Sequence, residues 1–255
     1  MAASFYPASA VELSCTVELL LAEASAADCP RPKALIAPHA GYAYSGAVAA
    51  AAYASLRGER GTIERVVVLG PAHYVDVKGI ATSNASAFTT PMGELLLDRD
   101  AIDAIARLPG VAALDNAHAP EHSVEVQIPF VQAALGQVRL VPLLCGSGTC
   151  EKQLDRVLDV LWGGEETLFV VSSDLSHYLD YDSARARDAA TTRSIESLDA
   201  DAIGSDDACG PSCLRAILRA ASKRRMHAKV LDVKSSGDTV GGRDEVVGYG
   251  AYAVW

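Results

Sequence analysis

Ala34-Leu35-Ile36-Ala37 runs straight into Pro38-His39-Ala40-Gly41-Tyr42-Ala43-Tyr44-Ser45-Gly46, and the same plan recurs twice in the chain. Val66-Val67-Val68-Leu69 runs into Gly70-Pro71-Ala72-His73-Tyr74, and Leu168-Phe169-Val170-Val171 into Ser172-Ser173-Asp174-Leu175-Ser176-His177-Tyr178. Short apolar runs without alternation are the pattern of strands buried on both faces, as in parallel sheets. A fourth histidine, His122, lies in the loop Ala119-Pro120-Glu121-His122-Ser123. Open α/β sheets bind ligands beyond the carboxyl ends of their strands. Histidines delivered there by separate strands converge in space although distant in sequence. The pattern therefore predicts one site, and imidazole is the commonest metal ligand.

Segments of helical period separate these runs. Residues 45–56 are Ala-rich; Ile102, Ile105, Ala106 and Leu108 follow Asp98; Leu154, Val157, Leu158 and Leu161 precede Gly163-Gly164; 184–198 and 209–222 complete the set. Apolar runs at 34–37, 66–69, 138–144 and 168–172, with an alternating tail at 229–233 and 245–254, supply the strands. The expectation is an α/β fold: a single three-layer α/β/α domain over 1–255, with a mostly parallel or mixed central sheet. Residues 124–135 admit two readings, because Val124, Val126 and Ile128 alternate as in a strand. Val124, Ile128, Val131 and Leu135 also share a helical stripe, and the helix is expected, with a distorted turn at Pro129. Gly41 and Gly70 are expected to supply unusual backbone angles to the turns.

With 255 residues, half of them apolar and 21% charged, the chain can bury a core without disulfides. A net charge of −10 argues against a nucleic-acid partner, and Lys223-Arg224-Arg225 reads as a helix end favoured by its dipole. No apolar run reaches the length of a membrane span. Residues 1–7 carry neither the basic nor the apolar part of a secretory signal, so a cytoplasmic location is expected. The six cysteines accordingly read as buried, reduced thiols rather than a structural zinc site.

Two histidines and one carboxylate suit a non-haem ferrous centre. His39 and His73, each in a proline-stiffened turn, are the expected ligands, with Asp174 or Asp238 as the carboxylate and Glu245 behind them. Asp238 reads equally as the cap of a turn in Ser235-Ser236-Gly237-Asp238. His227 reads as a surface side chain. Two rival constellations are weaker. His118-Ala119-Pro120-Glu121-His122 matches the H-x-x-E-H string of inverted zinc peptidases, but Pro120 breaks the helix that chemistry needs. A Ser-His-Asp hydrolase from Ser172 or Ser173, His177 and Asp174 lacks the G-x-S-x-G elbow.

The block from Pro38 to Gly46 resembles the signature of the Memo family, whose prokaryotic members are also called AmmeMemoRadiSam system protein B. The resemblance continues in order through Ser4-Phe5-Tyr6-Pro7, Gly70-Pro71-Ala72-His73, Glu121-His122-Ser123-Val124-Glu125, Ser172 to His177, Cys209-Gly210, Ser235 to Asp238 and Gly248-Tyr249. It implies a fold similar to the class III extradiol ring-cleaving dioxygenases, which use ferrous iron. It further implies His39 and His73 as metal ligands and His177 as the acid/base histidine. The resemblance also sets Asp238 where animal members carry a cysteine that joins the site, so that Fe(II) is expected here and copper or zinc where a thiolate ligates. For partners it implies a radical-SAM protein system in prokaryotes. Two functions follow as expectations. In the first, a metal-dependent redox protein holds iron on His39, His73 and Asp238, with His177, His122 and Asp174 as the catalytic set. In the second, a binding module uses the same cleft for a peptide or small anionic ligand. In both, Tyr42, Tyr44 and Tyr74 wall the pocket.

Overall fold

In the computed structural model, which describes residues 1–25, 29–146, 149 and 151–255, the apolar runs become the centre of a mixed sheet. The strands are β1 (Ala34–Ala37), β2 (Arg65–Pro71), β3 (Ile80–Thr82), β4 (Ala87–Thr90), β5 (Gly93–Leu96), β6 (Val111–Ala113), β7 (Arg139–Cys145), β8 (Thr167–Ser172), β9 (His177–Leu179), β10 (Ala228–Ser235) and β11 (Val246–Val254). The helices are α1 (Ala10–Glu23), α2 (Tyr42–Ala54), α3 (Arg99–Ala106), α4 (Asp115–His118), α5 (Ile128–Leu135), α6 (Glu151–Leu161), α7 (Tyr181–Glu196) and α8 (Pro211–Lys223). The main sheet runs β10-β11-β1-β8-β2-β7-β3-β6, with β9 added on β11 and β4-β5 forming a separate hairpin. Strands β1, β8, β2 and β7 are mutually parallel, while β11 lies antiparallel to β1 and β3 antiparallel to β7.

The central strands are apolar throughout because helices cover both faces. Val66 to Leu69 and Leu168 to Val171 have no measurable exposure. Burying each such side chain contributes about 1.5–3 kcal/mol as an upper estimate. On one face α2 packs on β1, β10 and β11, with α1 and α5 beside it; elsewhere α8 lies on β2 and β8 with α6, and α7 on β10 and β11. This is the three-layer α/β/α arrangement that the sequence pattern predicts. Helix α3 begins where expected, since Asp98 caps it by accepting from the Ala101 N–H at 3.0 Å.

The structure departs from the expectations at identifiable points. Residues Glu125–Gln127 form a 3₁₀ turn leading into α5, and Pro129 sits in the first turn of that helix, where its missing N–H has no partner to lose. No distorted turn results. Gly41 has an ordinary φ of −57°, and Gly70 is absent from the positive-φ residues. Gly70 is instead required by space, because a Cβ there would stand 2.6 Å from Ser123 Oγ and 2.9 Å from Ser123 Cβ. Helix α1, the short β3, β6 and β9 and the β4-β5 hairpin were not legible as periodic runs. The cysteines also divide: Cys145 and Cys213 are buried, Cys29 and Cys209 are partly covered, and Cys15 is exposed, which corrects a uniform reading of buried thiols. Cys150 lies outside the described residues. Among the described residues no helix is long and apolar enough to cross a membrane.

Strands β1, β8 and β2 are neighbours, with Ala37 beside Ser172 and Val171 beside Leu69. The turns carrying His39, Asp174 and His73 therefore leave the sheet side by side at its carboxyl edge. Gly70→Ala should destabilise the protein by about 1–3 kcal/mol, the usual cost of overpacking a closed contact. The check is a urea transition whose midpoint falls at unchanged slope; an unaltered midpoint would show that Ser123 yields freely.

Candidate metal centre

Each histidine reaches the cleft through a turn held by hydrogen bonds to its neighbours. The His39 N–H donates to Asp174 Oδ1 at 2.7 Å, tying the β1 turn to the β8 turn. The His73 N–H donates to Glu121 Oε2 at 2.6 Å, and His73 Nδ1 lies 2.9 Å from Glu121 Oε1. Glu121 Oε1 also accepts from the N–H groups of His122 and Ser123, each at 2.9 Å. Burial alone would raise the Glu121 carboxyl, but these donated bonds hold it down at about 2. An ionised carboxylate can only accept, so His73 carries its proton on Nδ1 and presents the Nε2 lone pair to the cleft. His177 is set the same way, its Nδ1 donating to Leu175 O at 2.8 Å.

The rings of His39, His73 and His122 form one cluster. His39 meets the other two edge-on at 5.3 Å between centroids, and His73 stacks on His122 at 4.8 Å. The far face of His122 is covered by Phe5, stacked at 4.4 Å. His122 Nδ1 is buried without a hydrogen-bond partner, 3.3 Å from Glu121 Oε1 but out of line with it. Burial in an apolar setting, reinforced by the neighbouring imidazoles, lowers His39 to about 3 and His122 to about 4. Neutral imidazoles crowded in this way offer lone pairs that could hold a cation.

Cys209 completes the set. It precedes α8, and its Sγ lies 3.2 Å from His39 Nε2 and 3.2 Å from the Asp174 N–H that donates to it. Ligand atoms of His39, His73 and Cys209 lie within 4.8 Å of one another. Burial pushes the Cys209 thiol up, so without a metal it keeps its hydrogen; a bound cation would replace that proton. The donor chemistry therefore fits a transition metal. Asp174 stands next to this set, with Oδ2 4.0 Å from His39 Nε2, and burial raises its carboxyl despite the bond from His39.

The centre opens into a cleft of about 710 Å³ lined also by Tyr74, His177, Tyr178 and Arg187. Tyr74 and Tyr178 are 58% and 73% exposed, and Tyr178 holds a φ of 57°, a left-handed conformation a bulky residue rarely adopts. Of the residues singled out in the sequence, His39, His73, His122, His177, Asp174 and Tyr74 all line one cleft. Asp238 does not join them. Its Oδ1 accepts from Tyr181 OH, and its Oδ2 accepts from Ser235 N and Oγ at 2.8 and 3.0 Å in a capping box beside a different cavity. The turn composition of Ser235 to Asp238 wins, and the cysteine of the site is Cys209, not the residue at position 238. Tyr42 is also corrected: it is buried under the turn, with its hydroxyl bonded to Val126 O at 2.7 Å, and Tyr44 does not line the cleft.

The rival constellations dissolve for physical reasons. His118 is buried beside Phe88 with Nε2 3.3 Å from Ala81 O, in a cavity that excludes the metal centre. The Ser172 and Ser173 hydroxyls are buried and already donate to Ser123 O and Asp174 O. His227 lies against Trp255. Sequence reasoning missed Cys209 as a site residue and Glu121 as an orienting group. The signal for Glu121 was a carboxylate adjacent to His122; Cys209 left only its place before a helix.

A family model described as Memo-like protein matches residues 1–253. A MEMO1 family protein of Methanopyrus kandleri is 34% identical over 98% of this chain and 96% of its own length. One from Aquifex aeolicus is 32% identical over 98% and 95%, and one from Aeropyrum pernix 32% identical over 99% and 97%.

The lowered histidines make metal-free protein acid-sensitive with a definite sign. His39 and His122 stay neutral in the fold to about 3 and 4, but in the unfolded chain they take up protons below their ordinary 6.5. Their effect on stability is nil above pH 6.5 and grows as pH falls toward 4, by about 1.4 kcal/mol per pH unit for each proton. Glu121 adds a later loss between 4.5 and about 2. Urea unfolding of metal-free protein from pH 7.5 to 5 should show this slope, and His39→Gln should flatten it by close to one proton. Parallel profiles for the two proteins would refute a buried neutral His39.

Proposed function

Since the chain belongs to the Memo family, we propose that its cleft is a metal-dependent redox centre in which His39 Nε2, His73 Nε2 and Cys209 Sγ hold one first-row transition metal. The observation that carries the reading is the convergence of these three donors within 4.8 Å, with the His73 proton turned away onto Glu121. Iron is the ion that the dioxygenase-like resemblance favours. The thiol extends the set toward copper, with zinc as the redox-silent competitor. When bound, such an ion supplies Lewis acidity and, for iron or copper, one-electron chemistry at the floor of the cleft.

The remaining residues take complementary roles. His177 has its Nδ1–H engaged by Leu175 O and keeps Nε2 as a proton acceptor at the cleft wall. Asp174, beside both His39 and Cys209, fixes the ligand turn through the His39 N–H. His122, clamped between Phe5 and His73, has both ring faces covered and presents only its edge to the cleft. Tyr74, Tyr178 and Arg187 line the opening. A second reading, a binding module without turnover, draws on the two exposed tyrosines there, which contribute little packing to the fold itself.

Anaerobic reconstitution with Fe(II), Cu(I) and Zn(II), followed by metal analysis, should give about one equivalent in wild type and little in His39→Ala or His73→Ala. Cys209→Ser should weaken binding of the thiophilic ions most, and Asp238→Ala should bind as wild type does. Wild type without stoichiometric metal sinks the reading. Oxygen uptake by the iron-loaded protein with catechol-type compounds separates the redox centre from the module, which would bind ligand in metal-free form and consume no oxygen.

A further inference from the structure

Beneath the cleft lies a buried chain of polar side chains whose hydrogens can all be assigned. Gln127, Ser172 and Ser123 are essentially unexposed, and Tyr53 is 1% exposed. Gln127 Nε2 lies 2.9 Å from Pro38 O, a group that only accepts, which fixes the orientation of the amide. Gln127 Oε1 therefore accepts from Tyr53 OH at 3.0 Å. The second Nε2 hydrogen donates to Ser172 Oγ at 2.9 Å, and Ser172 spends its own hydrogen on Ser123 O. Ser172 Oγ has no hydrogen left for His39. The 3.0 Å contact with His39 Nδ1 must then be an Nδ1–H donating to Ser172 Oγ.

We propose that Gln127 and Ser172 are positioning residues for the metal centre, locking His39 in the tautomer that leaves Nε2 bare toward Cys209. The opposite tautomer would set two lone pairs face to face between two buried side chains. Gln127 and Ser172, with Ser123, join the two ligand-bearing turns to the β8 turn: Gln127 grips Pro38 ahead of His39, Ser123 Oγ donates to Pro71 O ahead of His73 at 2.8 Å, and Ser172 ends the strand that leads to Asp174. Glu121 performs the matching service for His73. The proposal rests on the metal reading for its consequence, but the tautomer is a property of the metal-free protein.

The experiment combines ¹⁵N NMR of the histidine rings in metal-free protein with Fe(II) and Zn(II) affinity measurements. Wild type should show His39 protonated at Nδ1 with an unprotonated Nε2. Ser172→Ala should mix the tautomers and weaken metal binding by about tenfold or more, the usual effect of removing a group that orients a ligand. Gln127→Met should change the same two readouts in the same direction, and carries the test should Ser172→Ala fail to fold. Val157→Ala, a core truncation in α6, should leave both unchanged and so exclude a general effect of lost stability. An Nε2–H tautomer in wild type, or wild-type shifts and affinity in Ser172→Ala, would overturn the proposal. Absence of metal uptake by wild type with the assigned tautomer intact would fail the metal reading instead.

Discussion

Two buried carboxylates govern the construction of the site, because the turns beyond β1, β2 and β8 carry backbone N–H groups that must find acceptors away from water. Asp174 takes the N–H of His39 across one strand boundary, and Glu121 takes those of His73, His122 and Ser123 across another. The bonds to His39 and His73 join residues 135 and 48 positions apart, while those to His122 and Ser123 close the local turn. Losing either acceptor would strand buried donors at a typical cost of about 1–3 kcal/mol apiece. The ligand geometry is therefore enforced by the same bonds that close the carboxyl edge of the sheet.

Electrostatics then select what the cluster can hold. Three imidazoles with centroids 4.8–5.3 Å apart cannot all be protonated in a buried setting, and the fold keeps His39 and His122 neutral well into the acid range. Lone pairs gathered in one place without protons are complementary to a cation. Cys209 adds a sulfur donor to this group, its Sγ lying 3.2 Å from His39 Nε2. The bulky, exposed Tyr178 in a left-handed conformation is a local cost that packing does not explain, which is usual at functional rims.

The sheet was largely legible because buried parallel strands leave uninterrupted apolar runs: β1 was read to the residue, and β2, β7 and β8 to within one or two. The short β3, β6 and β9 are too brief to leave a period, and α1 follows a mixed sequence with exposed Val11 and Leu19. The histidines were legible because each follows a strand or a turn signal. Asp238 was misplaced because a carboxylate at a turn reads alike as a ligand and as a cap. Cys209 was passed over because a lone cysteine before a helix has no spacing to mark it.

The sequence by itself determined the layer architecture, the edge of the sheet that bears the site and the residues His39, His73, His122, Asp174 and His177 at it. Those features follow from hydrophobic period and from turn residues, which act over a few positions. Only the tertiary structure decided that Cys209 and not Asp238 stands beside His39, that Glu121 orients His73, and that Gly70 is needed for room beside Ser123 and not for its backbone angle. These depend on contacts across tens to more than a hundred residues, such as Cys209 with His39, where a few tenths of an ångström and the direction of a single hydrogen bond separate a ligand from a cap.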